Sequence, residues 1–166
     1  MKLCMIGTGY VGLVSGTCFA DIGNQVYCVD KDKNKIDKLN SGVSPIYEPG
    51  LDELIKKNYD ANRLIFTTDI KKAINASDLI FICVGTPTKK GSLKVDLSFV
   101  YKCVKEILKH STKKKIIITK STVPVGTGDE IEKIFKKKKK LFNVISNPEF
   151  LREGEAIRDF RYPDRI

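Results

Sequence analysis

The first 30 residues constrain the fold of this chain more than any other segment. Residues 2–6 form a short apolar run without turn residues, which is typical of a buried parallel strand. Residues 7–12 then carry glycines with the spacing G-x-G-x-x-G and lead into a helix-forming segment over residues 11–22. A second apolar strand, residues 25–29, ends on Asp30. This order predicts a βαβ unit that binds a dinucleotide.

Each part of this unit has a physical role in the prediction. Gly7 permits a tight turn, and Gly9 has no side chain that would keep a diphosphate away from the backbone. Gly12 lets the helix pack closely on the strand, while the helix N-terminus offers unpaired N–H groups to phosphates. Asp30 accepts hydrogen bonds from ribose hydroxyls, and its charge favours NAD over NADP by repelling a 2′-phosphate. Lys31 directly follows it and weakens that preference.

Size and composition fit one globular domain. The 166 residues are 42% hydrophobic and 30% charged, which is sufficient to bury a core. No apolar run is long enough to span a bilayer and no secretory signal pattern is present, so we expect a cytoplasmic protein without a membrane partner. The five cysteines lack the C-x-x-C spacing of metal or redox sites. We interpret them as buried thiols and expect no metal.

The net charge of +10 raises the alternative of nucleic-acid binding. Much of the charge lies in two lysine runs, residues 113–115 and 136–140, which both fall where a helix is followed by an apolar strand. Neither run has interleaved aromatic residues or a nucleic-acid-binding motif, so we interpret both as solvated turns. We therefore expect no nucleic-acid partner.

Helical and strand patterns alternate along the rest of the chain. Helices are predicted over residues 31–40, 51–58, 68–76, 96–110 and 127–138, and strands over residues 63–67, 79–84, 115–119 and 141–146. Together with the first two strands, this alternation predicts an α/β fold of the Rossmann type. We expect a doubly wound, six-stranded parallel sheet in the order 3-2-1-4-5-6, with helices on both faces.

Polar turns follow the fourth, fifth and sixth predicted strands, at the sheet edge where ligands bind in open α/β sheets. The first of these turns carries Thr86, and the second carries several hydroxyls in residues 120–127. The third carries Glu149 and Glu153, whose spacing we interpret as the first turn of a helix that directs both carboxylates towards one cleft. Simple turns and helix-dipole complementation by glutamate remain the structural alternatives.

Five segments resemble the NAD-binding domain of the nucleotide-sugar dehydrogenases, a family that oxidises a C6 alcohol to an acid. They are MIGTGYVGL at 5–13, VDKDKNKI at 29–36, FICVGTPT at 81–88, KSTVPVGT at 120–127 and SNPEFLREGEAIRDFRYPDRI at 146–166. The last two are far more specific than the glycine motif, and they resemble the UDP-glucose 6-dehydrogenase branch most. GDP-mannose dehydrogenases share the PEFLREG segment and are the nearest alternative.

The resemblance implies a set of binding residues. The expected NAD contacts are Gly7, Gly9, Tyr10, Val11, Gly12, Asp30, Lys35, Val84, Thr86, Pro87, Ser121, Thr122 and Glu153. The loop expected to meet the sugar nucleotide comprises Glu149, Phe150, Leu151, Arg152 and Glu153.

The resemblance also implies a reaction, in which two NAD⁺ are used in succession and a cysteine holds a thioester that water cleaves. In that scheme Glu149 is the acid/base residue of the hydrolysis, since a carboxylate can take a proton from water. Thr122 and Glu153 hold an ordered water, because a threonine hydroxyl both donates and accepts hydrogen bonds.

The family's nucleophilic cysteine and its lysine have no match in this chain, and neither do its central helix and C-terminal nucleotide-sugar domain. We therefore expect residues 1–166 to form the NAD-binding domain alone, inactive by itself, with UDP-glucose bound in the full-length enzyme. The family forms homodimers or higher oligomers through contacts mostly outside this chain. A stand-alone NAD-binding regulatory module is the alternative from another functional class.

Overall fold

A computed structural model of the chain describes residues 1–89, 91–92, 94–139 and 142–164. Within these ranges the strands are β1 (Lys2–Ile6), β2 (Gln25–Val29), β3 (Leu64–Thr67), β4 (Leu79–Ile82), β5 (Ile116–Thr119) and β6 (Asn143–Ser146). The helices are α1 (Tyr10–Asp21), α2 (Lys33–Asn40), α3 (Leu51–Asp60), α4 (Ile70–Ala76), α5 (Ser98–His110), α6 (Thr127–Lys137) and α7 (Ala156–Arg161).

The strands form one parallel sheet in the order β3-β2-β1-β4-β5-β6, which confirms the predicted Rossmann-type topology. Ile6 at the end of β1 lies beside Val29 of β2 and Ile82 of β4. Strand order reverses at β1, because the chain proceeds outwards to β3 on one side and to β6 on the other. In open α/β sheets the crevice at such a switch point binds the ligand.

Apolar side chains form a separate core on each face of the sheet. On one face, residues of β1 and β2 such as Met5 and Val26 pack with α1, α2, α3 and α7. On the other face, residues such as Ile82 and Ile117 pack with α4, α5 and α6. Successive side chains of a strand point to opposite faces, so strands this apolar are covered on both sides. The predicted helices on both faces are confirmed.

Element boundaries differ from the predicted ones by a few residues. For example, α2 begins at Lys33 because the side chain of Asp32 caps it, and Asp69 caps α4 in the same way. Residues 140 and 141, which belong to the second lysine run and the predicted sixth strand, lie outside the described residues. Residues 165–166 of the C-terminal matching segment also lie outside them.

The prediction that Glu149 and Glu153 share a helical turn is wrong. The segment after β6 is irregular, and α7 begins only at Ala156. The carboxylate of Glu149 accepts a hydrogen bond from the backbone N–H of Leu151 at 2.8 Å, a local bond that competes with helix formation. Gly154 has a φ of +88°, which also interrupts a right-handed helix.

All five cysteines are free and buried, as predicted. No helix formed by the described part of the chain has the length and apolar character needed to cross a bilayer.

Candidate cofactor-binding site

A cleft of about 570 Å³, here called the larger cleft, opens at the carboxyl ends of β1, β2 and β4 and is bounded by α5. Its walls include five of the predicted NAD contacts: Gly7, Gly9, Asp30, Lys35 and Val84. The cleft therefore lies at the switch point of the sheet, where the fold predicts a ligand.

The three glycines of the motif differ in what surrounds them. Gly7 has a φ of +106°, and a Cβ there would lie 2.6 Å from the carbonyl oxygen of Cys83. A Cβ on Gly12 would lie 1.9 Å from the carbonyl oxygen of Gly7, so α1 can approach β1 only because this residue is glycine. A Cβ on Gly9, in contrast, would meet nothing within 4 Å.

The open space at Gly9 fits a diphosphate. Gly9 is the N-cap of α1 and supplies no side-chain hydrogen bond to the first-turn amides. Unpaired N–H groups and the positive end of the helix dipole together favour an anion at this place. The residues present therefore fit the phosphates of NAD. Gly9 leaves space for them, while Gly7 and Gly12 allow the close backbone contacts of the turn.

Asp30 is held in place by four hydrogen bonds. Its Oδ2 accepts from the backbone N–H of Thr8 at 3.0 Å, from the Thr8 hydroxyl at 2.8 Å and from the Lys35 ammonium at 3.2 Å. Among the residues that the structure describes, its Oδ1 accepts only from the N–H of Asp32, at 3.1 Å, which leaves this oxygen able to accept from a ribose hydroxyl. Burial alone would raise the pKa of Asp30, but these hydrogen bonds hold it below its usual range.

The role of Thr8 was missed in the sequence. Thr8 is fully buried, and both its backbone and its side chain orient the Asp30 carboxylate. Its position between the first two glycines of the motif was the available signal, because that position faces the end of the second strand.

One wall of the larger cleft comes from α5 and was also missed. Phe99 is partly buried and lines the cleft together with Lys31 and Lys102, whose ammonium groups lie 5.3 and 5.4 Å from the centre of its ring. In the sequence, Phe99 shares the helical period of the apolar residues of α5. Periodicity identifies the apolar face but cannot distinguish a position against the sheet from one at the edge of a cleft.

A second cleft of about 230 Å³, here called the smaller cleft, lies at the carboxyl ends of β4 and β5. It brings together eight residues predicted from the sequence: Gly9, Tyr10, Val11, Val84, Thr86, Ser121, Thr122 and Glu149. Gly9 and Val84 line both clefts, so one elongated ligand can occupy the two.

Two side chains connect the loops that form the smaller cleft. The hydroxyl of Thr86 donates to the carbonyl oxygen of Thr122 at 2.9 Å, and that of Ser121 donates to the carbonyl oxygen of Val84 at 2.7 Å. The loops after β4 and β5 are thereby fixed relative to each other. The side chain of Thr122 is exposed and remains accessible to a ligand.

Lys120 was not predicted as a site residue. It is buried, and its ammonium donates to the side-chain oxygen of Asn147 at 3.4 Å. Burial lowers the pKa of Lys120, while the nearby Cys83 and Glu149 oppose that shift. The ammonium thus links the end of β5 to the segment that carries Glu149.

The predicted sugar-nucleotide loop is only partly directed into the clefts. Glu149 lines the smaller cleft, and Leu151 packs against the core beside α1. Phe150, Arg152 and Glu153 are exposed, as is Pro87 among the predicted NAD contacts. The guanidinium of Arg152 is engaged by Asp159, with hydrogen bonds of 3.0 and 2.6 Å to its two carboxylate oxygens.

Comparisons with known proteins agree with this geometry. A family model described as the NAD binding domain of the UDP-glucose/GDP-mannose dehydrogenase family matches residues 1–166. A UDP-glucose 6-dehydrogenase of Rhizobium meliloti is 55% identical over all of this chain, which spans 38% of that protein.

Two solved structures are also similar. A ternary complex of GDP-mannose dehydrogenase from Pseudomonas aeruginosa has a TM-score of 0.91 and 40% identity, covering 98% of this chain and 39% of that one. A UDP-glucose dehydrogenase from Pyrobaculum islandicum has the same TM-score with 35% identity, covering 99% of this chain and 39% of that one. The chain therefore belongs to the UDP-glucose/GDP-mannose dehydrogenase family, as an NAD-binding domain.

Proposed function

We propose that this chain is the cofactor-binding part of a UDP-glucose 6-dehydrogenase, which oxidises UDP-glucose to UDP-glucuronate with two NAD⁺. The observation that carries the proposal is the continuity of the two clefts at Gly9. Asp30 stands at one end of this path, and Thr122 and Glu149 stand at the other. The 55% identity to a UDP-glucose 6-dehydrogenase supports the choice of sugar nucleotide.

The larger cleft binds the adenosine half of NAD in this proposal. Asp30 accepts a hydrogen bond from a ribose hydroxyl at its Oδ1, and Lys35 keeps the carboxylate ionised and oriented. The diphosphate rests on the N-terminus of α1 at Gly9, where no side chain stands in its way. Lys35 also lies close enough to the cleft to attract the phosphates.

The smaller cleft binds the reactive half. Bound NAD supplies a hydride acceptor there. Glu149 takes a proton from water during hydrolysis, and the ammonium of Lys120 lies nearby. The exposed hydroxyl of Thr122 positions that water together with Glu153.

Residues 1–166 supply no nucleophilic cysteine in this proposal, because all five thiols are buried in the cores. The nucleophile and the nucleotide-sugar domain belong to a further part of the protein. The cytoplasmic location expected from the sequence stays a prediction, and so does the homo-oligomer that the family resemblance implies.

A GDP-mannose dehydrogenase is the second candidate. The 40% identity and TM-score of 0.91 to the Pseudomonas aeruginosa enzyme favour it. Assays of the full-length protein with UDP-glucose and with GDP-mannose in parallel distinguish the two, since only the correct nucleotide sugar should support NADH formation at low substrate concentration.

Isothermal titration calorimetry of this chain tests the cofactor assignment. We expect NAD⁺ to bind without NADH formation, and Asp30→Ala to weaken binding by about 1–3 kcal/mol, the usual cost of losing hydrogen bonds to a charged group. Asp52→Ala, an exposed aspartate on α3, is the matched control and should leave the affinity unchanged. No heat with millimolar NAD⁺, or equal affinities for the two variants, would contradict the proposal.

A further inference from the structure

Glu48, in the loop between α2 and α3, joins three segments that are far apart in the sequence. It is only 5% exposed. Its Oε2 accepts from the hydroxyl of Tyr10 and from the N–H of Gly154 at 2.8 Å. Its Oε1 accepts from the N–H groups of Ala156 at 2.8 Å and Ile157 at 3.4 Å. The carboxylate therefore connects the start of α1 to the start of α7.

These contacts leave Glu48 no capacity for a ligand. A carboxylate offers roughly four acceptor positions, and four donors occupy them. Burial opposes its charge, yet the hydrogen bonds from Tyr10 and from the backbone of residues 154–157 hold the pKa of Glu48 below its usual range. Glu48 is thus a fixed anion and is not available as an acid or base for substrate.

Glu48 also caps the last helix, α7. The N-cap of α7, Glu155, makes no side-chain capping bond, so Glu48 provides the cap from a distant part of the chain. Arg152 bonds to Asp159 within the same segment. The hydroxyl of Tyr10 also accepts from the N–H of Gly154 at 3.1 Å.

Glu153 lies between these anchored positions. It is exposed, and its backbone is followed directly by Gly154, whose N–H is held by Glu48. The N–H of Gly154 lies 3.1 Å from the hydroxyl oxygen of Tyr10, so the preceding residue, Glu153, lies close to the side chain of the first residue of α1. That residue adjoins Gly9, where the diphosphate is proposed to bind.

We propose that Glu48 is a positioning residue, whose carboxylate sets the place of Glu153 relative to the N-terminus of α1 and to the NAD bound there. The inference rests on the proposed function only for the identity of the ligand.

Amide hydrogen exchange of the unmodified chain, followed by NMR, is the first test. Gly154 and Ala156 donate to a buried carboxylate, whereas no hydrogen bond from the exposed Glu153 N–H is found among the described residues. We expect the first two amides to exchange at least about tenfold more slowly than that of Glu153. Equal exchange rates at all three positions would overturn the proposal.

Glu48→Gln is the second test, with Glu53→Gln on the exposed surface of α3 as its matched control. A glutamine side chain keeps one acceptor oxygen, but its NH₂ group is a donor. This NH₂ group would face two donor groups that the second carboxylate oxygen accepts from in Glu48. We expect the amide of Gly154 or Ala156 to lose its protection from hydrogen exchange, while the amides of β1 and β4 keep theirs. The control variant should show no change at any of these positions. Protection lost to the same extent throughout the sheet would show a purely global role and overturn the proposal.

A double-mutant cycle on NAD⁺ affinity tests whether Glu48 acts through Glu153. We expect Glu153→Gln to weaken binding about three- to tenfold in the unmodified chain, and to have no further effect in the Glu48→Gln chain. The same Glu153→Gln effect in both backgrounds, or none in either, would overturn the proposal. A wrong proposed function would give a different result, because the unmodified chain would not bind NAD⁺ at all. The amide exchange rates would still test the role of Glu48 in that case.

Discussion

Thr8 donates two hydrogen bonds to the same oxygen of Asp30, from its backbone N–H at 3.0 Å and from its hydroxyl at 2.8 Å. Thr8, which follows the first glycine of the motif, therefore orients Asp30 at the end of β2. Because the carboxylate is already held in one rotamer, it loses little conformational freedom when a ribose binds. The carboxylate proposed to bind the adenosine ribose is thus oriented before any ligand binds.

We predict that Thr8→Val destabilises the chain by about 1–3 kcal/mol and weakens NAD⁺ binding. The valine has nearly the same shape as threonine but removes a buried hydrogen bond to a charged group. Urea unfolding followed by circular dichroism measures the first effect, and calorimetry the second.

Thr8→Ser is the control for this prediction, because it retains the hydroxyl and loses only a methyl group. Its NAD⁺ affinity should stay close to that of the unmodified chain. If the serine and valine variants bind NAD⁺ equally well, the hydroxyl does not orient Asp30.

Replacing two glycines of the same motif by alanine should affect different properties. We expect Gly12→Ala to lower the stability of the fold and Gly9→Ala to lower the affinity for NAD⁺. Gly12→Ala places a Cβ 1.9 Å from the Gly7 carbonyl oxygen, so we expect a loss of about 3 kcal/mol or more in the free energy of unfolding. Gly9→Ala meets no atom within 4 Å, and we expect a change below about 1 kcal/mol. Its methyl group enters the space assigned to the diphosphate, so NAD⁺ affinity should fall at least about tenfold. A stable Gly12→Ala chain, or full NAD⁺ affinity in Gly9→Ala, would contradict this assignment.

The Arg152–Asp159 pair predicts a specific acid titration. Hydrogen bonds from the Arg152 side chain and backbone lower the pKa of Asp159 to about 2, below the value of about 3.9 expected in an unfolded chain. The pair therefore contributes its full stabilisation above pH of about 4, and this is lost as the pH falls towards 2. A carbon-13 NMR titration should show the low midpoint, and Arg152→Met should raise it.

Arg158→Met is the control for that titration. Arg158 is the weaker contributor to the pKa of Asp159, since it acts only through its charge. Its replacement should move the Asp159 midpoint less than that of Arg152. A midpoint insensitive to Arg152→Met would mean that the two side chains are not paired in solution.

The two cysteines that line the larger cleft should be chemically inert. Cys83 and Cys103 are each 7% exposed, and burial raises the pKa of each thiol to about 12. At pH 8 only about one thiol in ten thousand is then ionised, and the thiolate is the reactive form. We expect negligible iodoacetamide labelling of the folded chain by mass spectrometry and complete labelling in urea. Stoichiometric labelling of either cysteine in the folded chain would contradict the buried placement.

The parallel sheet followed from local patterns. Apolar runs such as residues 79–82 are too short for buried helices and too continuous for strands with a solvated face. Their alternation with helical periods leaves few topologies, because crossovers between parallel strands are right-handed. Gly7, Gly9 and Asp30 were found for the same reason, since their roles depend on positions within one βαβ unit.

Local sequence patterns do not predict contacts between segments that are far apart in the chain. Glu48 lies in a loop that contains proline and glycine, and its partners lie in the first turn of α1 and in residues 154–157. Phe99 has the helical period of the core residues of α5, but its side chain lines the larger cleft. The spacing of Glu149 and Glu153 fits a helical turn, but a hydrogen bond to Leu151 and the left-handed Gly154 prevent one.

The sequence by itself determined the order of strands and helices, the glycine turn and the acid proposed to bind the ribose, because each depends on residues close together along the chain. Only the tertiary structure decided which side chains line the clefts and which hold others in place. A buried carboxylate is stable only when donors surround it, and the donors of Glu48 come from segments that folding alone brings together.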